Sequence, residues 1–248
     1  MIEVDEGALD FFRTMHHRFS DTIQGHTGSE AMLADLLALA FTSYEGNAER
    51  HARDLPEPAC QKGCATCCSI RVVATAPEVL LVARYLRANE SGLRAQGVHL
   101  TKRLAKANEV TRDQDEAARV RLRRRCPFIH KGVCMIYAAR PLACRSHLSY
   151  DRQACVDAAA GRIDEIPHSP PHLQIRGLIQ NALQSALRDA DYPWASYEIN
   201  HAVQLALENP QAEQQWLAGE DVFIAARVKD ISFAEMAQTF DQLHNRLH

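Results

Sequence analysis

The chain has 248 residues, of which 46% are hydrophobic and 24% charged, and its formal net charge at pH 7 is −3. This balance is typical of a globular protein large enough to bury a core without covalent crosslinks, and it argues against an overall electrostatic attraction to nucleic acid. The acidic N-terminal sequence MIEVDEGALDFF lacks the pattern of a secretory signal, and no apolar run predicts a transmembrane helix. We therefore expect a cytoplasmic protein with reduced thiols and with no membrane or nucleic-acid partner.

The first half of the chain predicts helices interrupted by one short strand. Apolar residues recur at helical spacing after Ser29 and Glu30, up to the prolines of LPEPAC. The β-branched run SIRVVA predicts a strand, and Thr75 predicts the cap of a helix with Pro77 in its first turn. Residues 101–125 contain 13 charged residues and predict one solvated helix. Its end, RVRLRRR, is also consistent with docking of an acidic partner or an anionic cofactor.

The second half begins with a predicted hairpin that turns at Lys131–Gly132, followed by a turn and a short helix or loop in ARPLACRSH. After IPHSPPH, apolar spacing predicts a long helix. Further helices are predicted at about 196–208, 211–218 and 232–246.

These patterns predict a mainly α fold, a helical bundle-like protein with a central cysteine-rich metal-binding region and one or two short β-strands. We expect an N-terminal helical segment (1–58), a cysteine-cluster metal-binding domain (59–156) and a C-terminal helical region (157–248), packed together as one globular unit.

Eight cysteines fall into two groups. The first group, within the stretch CQKGCATCC, consists of Cys60, Cys64, Cys67 and Cys68. The second, more widely spaced group consists of Cys126, Cys134, Cys144 and Cys155. Disulfides within the short first run would be strained, whereas the same intervals let consecutive thiolates face one ion. Nearby cations such as Lys62 and Arg71 favour the thiolate form. We predict that these eight cysteines bind metal through their thiolates.

Four thiolates suit zinc and iron–sulfur clusters equally well. Structural zinc sites usually consist of two neat cysteine pairs, so one dense and one scattered group favours an iron–sulfur cluster of the 4Fe–4S type. One site and two sites are both compatible with eight thiols. His130 and His147 lie within the second group, and we expect them at the surface or supporting the ligands.

Three functions are compatible with such a centre. The first is metal binding without catalysis, as a chelator, carrier or redox module. The second is an enzyme that uses the cluster together with S-adenosylmethionine, although the chain lacks both the alternating strands of a radical-enzyme barrel and a glycine-rich cofactor turn. The third is a zinc-stabilised module that binds a protein partner through its helical C-terminal region.

The two cysteine groups together resemble the CxxCxxCC family, also called YkgJ-like, which is described as a zinc- or iron-chelating domain with eight cysteines. The resemblance rests on CQKGCATCC, on CPFIHKGVCMIYAARPLACR and on their order. The first two cysteines, Cys60 and Cys64, are separated by three residues, whereas the family pattern has two. It implies metal chelation by the eight cysteines. It further implies that Arg140 and Arg145, with Pro141, hold the loop and bring positive charge to the bound cofactor. A flagellin lysine N-methylase is similar to this family in its cysteine region, which implies more distantly a protein lysine methyltransferase-like activity.

Overall fold

The computed structural model describes residues 6–61 and 63–245; the predicted role of Lys62 beside the thiols, and residues 1–5 of the N-terminal sequence, lie outside the described residues. The described residues form eleven α-helices and four short strands. The helices are α1 (Glu6–Gly25), α2 (Glu30–Ala52), α3 (Ala76–Ala95), α4 (Leu100–Thr111), α5 (Glu116–Leu122), α6 (Leu142–Ser146), α7 (Arg152–Ala159), α8 (Pro170–Asp189), α9 (Ile199–Glu208), α10 (Ala212–Leu217) and α11 (Phe233–Asn245). The strands are β1 (Val73–Thr75), β2 (Ile129–His130), β3 (Val133–Cys134) and β4 (Ser196–Glu198). The predicted mainly α fold is confirmed.

The helix starts follow from local capping chemistry. Ser29 precedes α2, and its hydroxyl accepts a hydrogen bond from the amide of Ala31 at 3.2 Å. Thr75 and Glu78 form a capping box at the start of α3, where Pro77 occupies the first turn. These contacts satisfy amides that the first turn of a helix leaves without partners.

The hydrophobic core joins helices from both halves of the chain. Helices α1, α2 and α8 pack against one another, and α3 and α4 pack against α9. Leu36, Leu80 and Leu183 are buried in this one core together with Phe19 and Trp216. Helix α6, which contains Cys144, contacts α8 and β1, so this core holds part of the cysteine-rich region in place.

Two small antiparallel sheets place the cysteine segments. Strand β1, which follows the first cysteine group, pairs with β4, and Ala74 lies opposite Tyr197. Strands β2 and β3 form the predicted hairpin, in which Lys131 and Gly132 have positive φ values of 47° and 82°. Such backbone angles are those of a tight hairpin turn. The hairpin therefore brings the segment containing Cys134 back alongside the one containing Cys126.

The predicted single helix over residues 101–125 is wrong in detail, because two helices occupy this segment. Helix α4 ends at Thr111, Asp113 adopts a positive φ of 59°, and Asp115 then caps α5 by accepting a hydrogen bond from Ala118 at 2.7 Å. Helix α5 is also not fully solvated, since Arg119 is only 2% exposed.

The helix predicted at about 196–208 begins later than expected. Its first three residues form β4, because pairing with β1 satisfies their backbone groups and overrides the helical pattern. The carboxylate of Glu198 then caps α9 by accepting a hydrogen bond from the amide of His201 at 2.9 Å. Among residues 6–61 and 63–245, none of the helices combines the length and apolar character needed to cross a bilayer.

Candidate metal centre

The first cysteine group lies in an irregular loop between α2 and β1. The amide of Cys64 donates to the carbonyl of Gln61 at 2.9 Å, and the amide of Cys68 donates to the carbonyl of Ala65 at 3.2 Å. Gly63 has a φ of 94°, a conformation that favours glycine, so it permits the first of these tight turns. The loop consequently curls its thiols toward one side instead of extending them along a strand.

The second group approaches the first through backbone contacts. The amide of Cys126 donates to the carbonyl of Cys68 at 2.6 Å, which joins the two groups directly. The hairpin then positions Cys134, and α6 positions Cys144. Residues that are far apart in the sequence are thus brought together by the fold.

Seven of the eight cysteines line one cavity of about 960 Å³. These are Cys60, Cys64, Cys67, Cys68, Cys126, Cys134 and Cys144. Cys155 lies on α7 outside the lining. All eight are free, partly exposed thiols. A cavity of this size is within the range of small-molecule sites, so it has room for more than a metal centre.

Backbone amides point at three of the sulfurs. The amide of Ser149 donates to Cys60 Sγ at 3.4 Å. Burial raises the pKa values of Cys126 and Cys134, and hydrogen bonds from the amides of Phe128 and Ile136, respectively, oppose this rise. Because amide hydrogen bonds stabilise thiolate over thiol, this arrangement suits sulfurs that bind a cation.

The thiol of Cys144 interacts electrostatically with three other cysteines. Burial raises its pKa, and the charges of Cys126, Cys134 and Cys67 raise it further. Burial likewise raises the pKa of Cys126 to about 12. These thiols are therefore neutral at pH 7 in the absence of a bound cation, and metal binding must release their protons.

A second neighbourhood surrounds Cys60. Burial raises the pKa of this thiol, and the charges of Cys67, Cys155 and Cys64 add to the effect. Cys67 thus interacts both with Cys60 and with Cys144. Its hydrogen bond with Cys68 is the largest of the effects that raise its pKa to about 12, followed by burial, whereas a hydrogen bond with His147 lowers it. His147 therefore contacts the thiol set directly.

The thiols surround a space and do not converge on a point. Among the described residues, no three His, Cys, Asp or Glu side chains stand close enough together to hold one ion. The chemistry of the donor set fits zinc or iron, because soft thiolates are ligands of both. A single ion would require the thiols to move inward, whereas a centre with several metal and sulfide atoms spans a wider gap.

The two arginines of the ARPLACR segment have different environments. Arg145 donates to the carbonyls of Arg140 and Ala138, both at 2.9 Å, and pairs with Glu45 at 2.6 Å. Arg140 lies over the ring of Tyr137, 3.6 Å from its centroid. The charge of Arg140 lowers the pKa values of two thiols, those of Cys134 and Cys144, against the larger effect of burial. Arg145 therefore braces the loop, and Arg140 supplies positive charge to the sulfurs.

We expect Arg145→Lys to lower the free energy of unfolding by about 2 kcal/mol, because one ammonium group cannot replace a guanidinium that contacts two carbonyls and a carboxylate. Chemical denaturation should measure the change. Arg94→Lys is the matched control, since Arg94 forms an exposed ion pair with Glu90 at 3.0 Å and should change stability by less than about 0.5 kcal/mol. Equal effects of the two substitutions would contradict the bracing role.

A buried carboxylate connects α3 to the helix that contains Cys144. Glu78 is 1% exposed, and its Oε1 accepts a hydrogen bond from the amide of Leu142, the first residue of α6, at 2.7 Å. Its Oε2 accepts from the amide and hydroxyl of Thr75 at 2.8 and 2.9 Å. Glu78 thus fixes the start of α6 relative to the core.

The Glu78 contacts predict a specific pH dependence. Burial raises the pKa of Glu78, while the hydrogen bonds from Thr75 and Leu142 and the charge of Arg176 oppose this rise. Because the pKa of Glu78 is higher in the folded protein than the unfolded value of about 4.3, protonation of this carboxyl stabilises the folded state. This stabilisation is complete when the pH is below the unfolded pKa, and it is lost as the pH rises through the folded pKa. The stability of the wild type relative to Glu78→Gln should therefore increase as the pH falls from 7 toward 4.5, in paired denaturation curves. The opposite slope would show that the hydrogen bonds keep this carboxylate ionised.

Several residues of the cavity wall were not expected from the sequence. Tyr44, Arg176 and Glu198 line the cavity, as does Arg119, whose guanidinium contacts the carbonyls of Arg124 and Ile70 at 3.5 and 3.4 Å. In the sequence, Tyr44 falls within the helical run that follows Ser29, and Arg119 falls within the charged segment 101–125. The hydroxyl of Tyr44, a polar group on an apolar helix face, could have indicated its place in the cavity wall. The position of Arg119 in that wall depends only on long-range packing, which the sequence pattern does not show.

The fold and the site define a mainly helical protein with a thiol-lined cavity, a candidate metal-chelating protein. Residues 59–161 match the family model CxxCxxCC, described as "Putative zinc- or iron-chelating domain". This match confirms the resemblance seen in the cysteine motifs. The matched segment contains all eight cysteines and spans less than half of the chain. No curated protein and no solved structure matches the chain.

Proposed function

We propose that the protein holds an iron–sulfur cluster of the 4Fe–4S type in the thiol-lined cavity. The observation that carries this proposal is the group of sulfurs around Cys144. Cys67, Cys126 and Cys134, whose charges act on the Cys144 thiol, are the candidates to complete a four-thiolate set with it. The remaining cysteines, around Cys60, would form a second set.

The wide separation of the thiols supports a cluster over a single zinc ion. Structural zinc sites have four ligands at about 2.0–2.3 Å from one atom, which requires close convergence. A bound cluster would supply one-electron redox chemistry. The positive charge of Arg140 beside Cys134 and Cys144 would offset the negative charge of such a centre.

Anaerobic purification followed by metal analysis and absorption spectroscopy tests the proposal. We expect about four or eight irons per chain, matching acid-labile sulfide, and a broad absorption band near ~400 nm. Stoichiometric zinc in a colourless protein would instead identify the metal-chelating domain as a zinc site. Protein isolated from cells with native disulfides and no metal would contradict both assignments.

A further inference from the structure

One end of the cavity contains polar atoms that the protein itself leaves without partners. Tyr44 lines the cavity, is 3% exposed, and has a buried hydroxyl without a hydrogen-bond partner among the described residues. The buried Nε of Arg176, which also lines the cavity, likewise has no hydrogen-bond partner in the described part of the chain. Buried polar groups in proteins are nearly always hydrogen-bonded, so two such atoms on one cavity wall require an explanation.

These two side chains lie in a region of positive charge. The charges of Arg145, Arg140 and Arg176 all act to lower the pKa of Tyr44, although burial outweighs them and raises it. The ring of His172 lies beside Tyr44, with the two centroids 6.4 Å apart. Arginine is the side chain best suited to bind carboxylate and phosphate groups, because its donors form a planar fork.

Two carboxylates near this end, those of Glu45 and Glu78, are already engaged. Glu45 pairs with Arg145 at 2.6 Å. The oxygens of Glu78 accept the hydrogen bonds from Thr75 and Leu142 described above. Within residues 6–61 and 63–245, Arg176 forms no ion pair with any carboxylate. The carboxyl of Glu78 interacts with Arg176 only at longer range, through its charge.

Arg176 also differs from Arg140 in its relation to the sulfurs. The charge of Arg140 acts on Cys134 and Cys144, so a bound metal centre is enough to explain why a positive charge lies there. The charge of Arg176 acts on Tyr44 and on the buried carboxyl of Glu78. Tyr44 and Arg176 consequently form a polar site that shares the cavity with the thiols.

We propose that the cavity binds a small organic molecule through a carboxylate or phosphate group held by the Tyr44 hydroxyl and the Arg176 guanidinium. The volume of about 960 Å³ accommodates such a molecule beside the thiol set. This proposal does not depend on which metal the thiols hold. It would make the metal centre the neighbour of a bound anionic ligand.

Isothermal titration of the purified, metal-containing protein with succinate and with inorganic phosphate tests this site and distinguishes the two anion types. We expect wild-type protein to bind one of these probes, Arg176→Met to weaken that binding at least about tenfold, and Tyr44→Phe to weaken it several-fold. Arg94→Met and Tyr85→Phe, which alter residues outside the cavity lining, should bind like wild type.

Metal content measured on the same samples separates this site from the metal centre. The proposal expects Tyr44→Phe and Arg176→Met to retain wild-type metal while losing affinity for the anion. Binding of neither probe by the wild type would overturn it, as would equal binding by wild type and both variants. Loss of anion binding only in proportion to lost metal would assign the anion to the metal centre and would also overturn it.

Discussion

Cys144→Ser should lower metal affinity at least about 100-fold, since even residues that only support metal ligands contribute 10- to 100-fold. The charges of Cys67, Cys126 and Cys134 all act on the Cys144 thiol, so its substitution removes one member of the proposed four-thiolate set. Anaerobic purification with metal analysis and absorption spectroscopy measures the loss. The matched control is Ala143→Ser, which introduces the same hydroxyl at the adjacent cavity-lining position and leaves every thiol in place.

A parallel Cys155→Ser variant distinguishes one site from two. Cys155 lies outside the cavity lining and neighbours Cys60, not Cys144. If the protein holds a single centre around Cys144, Cys155→Ser should retain nearly all of its metal. If Cys60, Cys64 and Cys155 contribute to a second centre, the same variant should lose about half. Full metal retention by Cys144→Ser would contradict the proposed ligand set in either case.

Local patterns were sufficient to predict most of the fold. Ser29 and Thr75 were predicted as helix starts, and both precede helices in the structure. Lys131–Gly132 was predicted as the hairpin turn, and both residues have the required positive φ. Capping and turn chemistry depends on residues only a few positions apart, and therefore it can be inferred without knowledge of the tertiary structure.

The organisation of the cavity depends on contacts between distant residues and was not predictable in the same way. The sequence indicates metal-binding cysteines, but not that Cys67 lies between two groups of thiols or that Cys155 is outside the cavity. The burial of Arg119 follows from tertiary packing, since the charge pattern of this segment alone is that of a solvated helix. Likewise, β4 exists because of its partner strand β1. Such features are determined by the packing of the whole core.

Glu78→Ala should lower the free energy of unfolding by about 4 kcal/mol, the largest loss of stability that we expect from a substitution outside the thiols. The change leaves three buried donors without an acceptor: the amide and hydroxyl of Thr75 and the amide of Leu142. Each unsatisfied buried group costs about 1–3 kcal/mol. For a chain of this size, the loss corresponds to a decrease in melting temperature of about 8–16 °C, measurable by calorimetry.

The same substitution should also reduce metal binding, because Glu78 fixes the first residue of α6 and that helix contains Cys144. Glu90→Ala is the matched control on the same helix: Glu90 forms an exposed ion pair with Arg94, and its loss should cost less than about 1 kcal/mol without affecting metal. Thr75→Ala provides a milder test that removes only the hydroxyl, with an expected cost of about 1 kcal/mol. If Glu78→Ala destabilised the protein but retained full metal occupancy, α6 would hold Cys144 in place without the buried carboxylate, and the proposed connection between the core and the metal centre would be wrong.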